Sequence, residues 1–281
     1  MAPMRGFDVA PSPTSLLVPG WDAYPWLRHG FSSRAGGVSE AYATDAGGQL
    51  NLGFTPEDDP ANVLENRRLL LDTVGGTPRW KMVTMRQVHG TAIADVPQGD
   101  LPLSTLDGRG TLTADGLASA QPGLMLAVMT ADCVPVLVAD TRLRVVAAFH
   151  AGWRGTAAAI VQRGIAHLAH TYDSAPQDII AAIGPSIQRC CYTVGPEVLD
   201  TFRRNFAYAP AIFHANSPGT SLDLAEANRR QLVAAGVAPA AITVLDECTA
   251  CARVDDRRKY FSHRAERGVT GRSMGLIGIA P

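Results

Sequence analysis

Residues 124–155 read LMLAVMTADCVPVLVADTRLRVVAAFHAGWRG. This is the most apolar stretch of the chain. It splits into three runs, 124–128, 134–138 and 144–149, separated by the polar breaks Thr130-Ala131-Asp132 and Asp140-Thr141-Arg142. Apolar runs this short, bounded by turn residues and rich in Val, read as buried strands rather than helices. The third run ends at His150, and Gly152-Trp153-Arg154-Gly155 then turns the chain towards a helix from Thr156, with Ile160, Val161, Ile165 and Leu168 at helical spacing.

Outward from this core the elements mix. Upstream, a glycine-rich stretch, 31–39, and Asn51-Leu52-Gly53 read as turns. Asp59-Pro60 opens a helix over 61–74 that Gly75-Gly76 ends. Residues 83–88 alternate loosely as a strand running into His89-Gly90, 92–96 read as another, and 97–113 as loop. Downstream, strands are expected at 179–183, 242–245 and 276–279, and helices at 196–206 and 224–235. Without strict β-α-β alternation the pattern favours an α+β fold, with mixed sheets packed on each other and flanked by helices in αββα-like layers. No repeat or linker divides residues 1–281, so a single domain is expected, with a loose Pro- and Ser-rich arm at about 1–14.

Twenty-five basic residues balance 26 acidic ones, for a net charge of −1. That balance gives no ground for nucleic-acid binding, and Arg203-Arg204 and Arg257-Arg258-Lys259 read as solvated faces. An odd number of cysteines, 5, in a chain of 281 residues is not a secreted disulfide framework. No signal-like or membrane-spanning run is evident, so a cytoplasmic protein is expected, as monomer or weak homodimer.

His89, Cys133 and His150 stand at the ends of strand-like runs. Two imidazoles and a thiolate suit zinc, and dispersed ligands that number three leave a coordination position open, as catalytic zinc sites do. The same residues permit another chemistry, with Cys133 as a nucleophile and His150 as its base and no metal. Arg154, at a strand-to-helix turn, would suit an anion. Asp132 and Asp246-Glu247 are candidates for general acid–base work, for orienting a metal-bound histidine, or merely for turn formation. Cys248-Thr249-Ala250-Cys251 is a C-x-x-C. Because adjacent cysteines such as Cys190-Cys191 rarely ligate one metal together, no second metal site is expected from it.

Several segments, in order, resemble one family. They are HGFSSRAGGVS (29–39), LNLG (50–53), RQVHG (86–90), LAVMTADCVPVLVAD (126–140), FHAGWRG (149–155), IGPSIQRCCYTVG (183–195) and FSHRAERGVTG (261–271). They look like the motifs of the YfiH-type laccase-domain group, also called polyphenol-oxidase-like proteins, purine nucleoside phosphorylases and peptidoglycan editing factors. The resemblance implies an α+β fold and a mononuclear zinc on His89, Cys133 and His150. It implies phosphorolysis of adenosine and inosine to base and ribose 1-phosphate, with adenosine deamination and methylthioadenosine cleavage as side activities. Arg34, Asn51, Arg86 and Arg264 lie in matched motifs and are expected in the substrate pocket. The chain departs from the pattern at His263, where the family usually has Tyr, and at Cys251. Alternatives under the same resemblance are a Cys/His amidase-type hydrolase editing peptidoglycan precursors and a copper-dependent polyphenol oxidase. The last would place Met129 or Met85 as an axial copper ligand, but a laccase also needs a multinuclear histidine site, and His29, His167 and His170 lack H-x-H pairing.

Overall fold

The computed structural model describes residues 13–42, 48–76, 80–96, 110–216 and 219–281. Most of the expected N-terminal arm and of the expected loop at 97–113 lies outside the described residues.

The chain begins with strands β1 (Ser15–Leu16), β2 (Leu27–Ser32) and β3 (Ala35–Ser39), then helix α1 (Pro60–Gly75), β4 (Lys81–Val83), β5 (Ile93–Asp95) and β6 (Gly116–Ser119). The apolar stretch forms β7 (Leu124–Thr130), β8 (Val134–Asp140) and β9 (Val145–Ala151), followed by helices α2 (Trp153–Ala157) and α3 (Ile160–Tyr172). Then come β10 (Ile179–Ile183), β11 (Thr193–Val194), α4 (Pro196–Asn205), β12 (Phe213–Asn216), β13 (Gly219–Leu222), α5 (Leu224–Ala234), β14 (Ile242–Val244), a small hairpin of β15 (Arg253–Val254) and β16 (Arg257–Arg258), and β17 (Ser273–Ile279).

Two mixed sheets carry the molecule, one in the order β1-β2-β17-β7-β4 and the other β14-β10-β8-β9-β6-β5. Their faces follow from the two-residue period of a strand. In β9, Val145, Ala147, Phe149 and Ala151 pack with Ile160, Val161, Ile165 and Leu168 of α3 and with apolar residues of α4 and α5. Val146 and Ala148 point the other way, into a core shared with Leu126 and Val128 of β7 and Ile277 and Ile279 of β17. The far face of the first sheet, through Met82, Met125, Ala127, Met274 and Leu276, is closed by Leu70, Leu71 and Val74 of α1. The layers are therefore helix, sheet, sheet, helix, the α+β sandwich expected from the sequence.

Local departures have local causes. The strand expected over 83–88 stops at Val83, and Arg86 keeps only an isolated bridge to Thr113. The single helix expected from Thr156 is broken in two by Ala159, which is left-handed at φ 64. That break lets α3 start afresh against β9, so close that a Cβ on Gly164 would stand 2.3 Å from the Phe149 ring. The stretch expected as a turn at 31–39 instead carries the end of β2 and all of β3, with Gly36 at a positive φ of 90° inside β3. β17 is longer than expected because its glycines, Gly275 and Gly278, sit under Phe31 and Trp80, where no side chain fits.

Candidate metal centre

His150 is the next residue after Val146 and Ala148 on the same face of β9, so it points into the gap between the sheets at the strand's end. It is buried, at 3% exposure. Cys133 occupies the tight β7–β8 connection, opened by Asp132 at φ 91. His89 is not at a strand end. It sits in a loop at φ 59, a conformation costly for a residue with a Cβ.

Asp115 explains why His89 holds that conformation. Its fully buried carboxylate accepts from the backbone N–H groups of Val88 (3.2 Å), His89 (2.9 Å) and Gly90 (2.6 Å). The Nδ1–H of His150 donates to the same carboxylate at 2.9 Å. One side chain thus fixes both the His89 loop and the orientation of His150. With Nδ1–H committed to that carboxylate, Nε2 is the nitrogen turned to Cys133 and the one that would ligate a metal on losing its proton, a carboxylate–histidine arrangement common around metals. Burial works against ionisation of Asp115, but these four donors outweigh it and hold its pKa below the ordinary carboxylate value. Gln87 adds a second anchor. Its side-chain amide donates to Met129 O at 2.7 Å and accepts from Met129 N at 2.8 Å, pairing with the β7 backbone as another strand would.

Ligand atoms of His89, Cys133 and His150 all lie within 4.8 Å of one another. The two rings meet edge to face, centroids 4.9 Å apart. Burial tends to raise the Cys133 pKa, but the His150 and His89 imidazoles overcome it and bring the thiol down to about 6. Burial likewise tends to lower the His150 pKa, and the Cys133 thiolate and Asp115 reverse that, raising it to about 9. Space is kept for this cluster by Gly152. A Cβ there would lie 3.0 Å from Cys133 Sγ and 3.0 Å from His89 Cδ2. Borderline-soft donors, an oriented imidazole and a glycine-kept hollow fit a zinc-class ion.

The cluster opens into a cavity of about 720 Å³. Arg86 and Arg264 line it, as do Arg67, Arg272, Phe54, Tyr192 and His263. Arg264 stacks over Tyr192 at 5.3 Å and donates to Thr193 O at 2.8 Å. Arg67 lies over the Phe54 ring at 4.4 Å. Sequence reasoning passed over Arg67 and Arg272. Arg67 is helical and reads as a surface residue of α1, yet it is 1% exposed.

Other expected pocket residues are placed elsewhere. Arg34 is buried in an ion pair with Glu266 (2.6 Å), a bond to Gln49 (2.5 Å), one to the Tyr42 carbonyl, and a stack on Phe261. It ties loops together and does not line the cavity. Asn51 is fully buried, bridging Asp58 (2.7 Å), Gly53 and the Arg272 backbone N–H (2.9 Å), so it shapes the wall without facing the cavity. Arg154 is exposed, stacked on Trp153 at 4.5 Å, and is not among the lining residues. The helix it opens has only 5 residues, which weakens the anion site expected there. Both Asp132 oxygens are engaged, by Thr249 Oγ1, Ser262 Oγ and Arg264 N, each at 2.7 Å, which makes Asp132 an anchor of the neighbouring loops. Glu247 pairs with Lys259 and Tyr260. Met129 sulfur faces the Arg67 guanidinium at 3.7 Å. Contrary to expectation, the sulfurs of Cys190, Cys191, Cys248 and Cys251 also converge.

An α+β sandwich with a two-histidine, one-cysteine cluster on the floor of an arginine-lined cavity defines a class of metal-capable proteins. Residues 28–280 match the family model described as multi-copper polyphenol oxidoreductase laccase, and the chain belongs to that family. It is 38% identical to the purine nucleoside phosphorylase YlmD of Geobacillus stearothermophilus over 267 residues, 92% of this chain and 95% of that protein. It is 34% identical to the purine nucleoside phosphorylase PA4543 of Pseudomonas aeruginosa over 265 residues, 94% of this chain and 98% of that one. The crystal structure of the Bacillus licheniformis hypothetical protein YfiH superposes with a TM-score of 0.85 at 36% identity, covering 95% and 97% of the two chains. Among the described residues the metal-capable groups are the His/Cys/His cluster and the four cysteines, and no multi-histidine copper cluster accompanies them. His167 pairs with Asp95, and His29 is packed against Trp21 with its pKa lowered to about 4, chiefly by burial. Among the described residues no helix is long and apolar enough to cross a membrane.

Proposed function

We propose that this chain is a metal-dependent purine nucleoside phosphorylase acting on adenosine and inosine. The observation that carries the reading is the meeting, in one cavity, of the His89–Cys133–His150 donor set and several guanidinium groups. Relatives that match nearly the whole chain are named purine nucleoside phosphorylase, which supports the reaction class.

Phosphorolysis cleaves the glycosidic C–N bond while a phosphate oxygen bonds to the ribose carbon. A dianion and a neutral nucleoside must share one water-poor site. Arg86 and Arg264 offer the planar forks that hold phosphate, and Phe54 and Tyr192 offer ring faces to a purine. The cavity is within the size range of small-ligand pockets. Bound at the donor set, zinc would act as a Lewis acid on an oxygen ligand and supply activated water for a deaminase side reaction. Asp115 and Gln87 hold the imidazoles in place for it. Methylthioadenosine, with an apolar 5′ group, fits the same reading through the Met85 and Phe54 wall.

The test is a metal-quantified assay of the pure chain against adenosine and inosine, with and without phosphate. Phosphate-dependent ribose 1-phosphate, lost together with the metal in Cys133→Ser and His150→Ala, is the expected result. A fully metallated chain that forms no product on any purine nucleoside refutes it.

One observation favours a second reading. Cys133, His150 and Asp115 also make a thiol–imidazole–carboxylate line, the arrangement of a cysteine hydrolase acting on amides such as those of peptidoglycan precursors. Full activity of a metal-free chain, abolished by alkylation of Cys133, would select it.

A further inference from the structure

The four cysteines that the centre above does not use lie together on the far side of Tyr192. Their sulfurs are all within 4.8 Å of one another, and Cys190 and Cys251 are 3.7 Å apart. A tetrahedral ion with metal–sulfur bonds of about 2.3 Å has sulfur–sulfur edges of about 3.8 Å, so the cluster is within a small contraction of a four-sulfur cage. None of the four is in a disulfide.

Two loops deliver them. Cys248 and Cys251 span a turn in which Cys248 Sγ accepts backbone N–H groups from Ala250 and Cys251, two and three residues on, and from Gln188 across the gap at 3.5 Å. Such N–H···S bonds orient a sulfur and favour its anionic form. The other loop turns tightly, with Cys191 N and Tyr192 N both donating to Gln188 O (2.9 and 3.0 Å). That curl is how neighbours in sequence, Cys190 and Cys191, bring both sulfurs to one point. The loops are already stitched by Ser186 N to Glu247 O (3.2 Å) and Thr249 N to Ser186 O (3.0 Å). A cleft of about 540 Å³, lined by Cys190, Cys248 and the carboxylates Asp223 and Asp246, gives a cation a way in.

We propose that Cys190, Cys191, Cys248 and Cys251 form a second metal site, a closed four-thiolate cage for a zinc-class divalent ion, that fastens the loop leading to Tyr192 in the cavity wall to the loop of Cys248 and Cys251 behind it. Its consequence for the cavity runs through neighbours. Tyr192 follows Cys191 and lines the cavity, and Thr249 follows Cys248 and bonds Asp132, next to Cys133. A four-ligand site has no open position, so its role is structural.

Zinc counting on the reduced, stripped and reconstituted full chain tests this independently of the centre at His150. Wild type is expected to bind about two zinc ions and Cys248→Ser/Cys251→Ser about one, whereas His150→Ala keeps the cage ion. Loaded with cobalt, the double variant should retain about one fifth of the thiolate-to-metal absorption, since of the five thiolates the two sites would engage only Cys133 still binds once the cage is broken. Because Cys248 is buried, the exposed single variant Cys251→Ser serves as a second probe that spares the core. It should weaken one zinc at least about tenfold against a competing chelator. Equal zinc in wild type and the double variant overturns the proposal, as does a reduced wild-type chain whose only zinc disappears with His150→Ala. A native chain lighter by the hydrogens of a disulfide, whose zinc does not rise on reduction, overturns it too.

Discussion

Asp115→Asn tests how the His/Cys/His centre is held. The carboxylate takes four donors on two oxygens. Oδ1 receives His89 N–H and His150 Nδ1–H, and Oδ2 receives Val88 N–H and Gly90 N–H. An amide has one oxygen, so one pair of donors must face an NH₂. If that pair is Val88 and Gly90, two backbone N–H groups are left facing an NH₂ in a part-buried place. If it is His89 and His150, the imidazole can relieve half the conflict by moving its proton from Nδ1 to Nε2. The second arrangement costs less, and it blocks the nitrogen that ligates. Hydrogen bonds to a charged group contribute about 1.5–3 kcal/mol each, and partial relaxation recovers some of the two that are lost. The expected destabilisation of the metal-free chain is about 2–4 kcal/mol, read as a melting point lower by roughly 5–10 °C. Metal affinity should fall about 10–100-fold, the usual cost of removing the partner of a ligating histidine. Chelator competition measures the affinity, and nitrogen NMR of the imidazoles reports the tautomer. Wild-type affinity in Asp115→Asn, with the His150 proton still on Nδ1, would refute the argument.

Gly152→Ala separates metal binding from folding. Gly152 has φ −70 and ψ 168, which alanine adopts freely, so melting of the metal-free chain should change by less than about 1 kcal/mol, while the new Cβ against Cys133 Sγ and His89 weakens zinc at least about tenfold by chelator competition. In the metal-free chain, alkylation of Cys133 should switch on through about pH 6 instead of near an ordinary thiol's 9.0, and His150→Asn should move that midpoint up. The lowered Cys133 pKa contributes stability that is present above an ordinary thiol's 9.0 and lost as pH falls to about 6, and the raised His150 pKa contributes stability that is present below an ordinary imidazole's 6.5 and lost as pH rises to about 9, so the two slopes oppose each other and the melting point of the metal-free chain should vary little from these groups between about pH 6.5 and 9. Arg264→Ala and Arg86→Ala should each raise the KM for phosphate about tenfold or more with zinc content unchanged, whereas Arg154→Ala should change it by less than about twofold.

What the sequence discloses and what it hides divide along a physical line. The strands β7 to β9 are legible because a buried strand needs apolar residues in a short run, and the run itself is the evidence. The metal-capable triad is legible through its motifs, and the period of β9 then explains why His150, and not Phe149 or Ala151, faces the gap between the sheets. His89 reads from local pattern as a strand end but stands in a loop, because its left-handed backbone is imposed from outside by Asp115, 26 residues on. Local pattern holds no trace of such a bond. Asp115 itself stood in plain view in Ala114-Asp115-Gly116 as an acid before an apolar stretch, a position as ordinary for a turn as for an anchor. Arg34 and Asn51 show the converse error. They sit in motif segments, but the motifs there preserve the loop scaffold, and burial with full hydrogen bonding leaves them nothing to offer a substrate.

The cysteines carry the same argument to its end. Adjacent cysteines such as Cys190-Cys191 are poor joint ligands on an extended chain, where successive side chains point to opposite faces. That objection does not hold here, because the amides of Cys191 and Tyr192 both turn back onto Gln188 O and the chain is not extended there. The partner pair lies some 60 residues downstream, at the bridge between Ser186 and Cys248. Convergence of this kind is a property of tertiary structure alone. The same packing gives the two clusters different characters. The His/Cys/His set stands at strand and loop ends facing a cavity and keeps one side open, as chemistry on a ligand requires. The four-sulfur set joins two loops with no regular structure to brace them, where a closed cage would replace the rigidity that strands supply elsewhere.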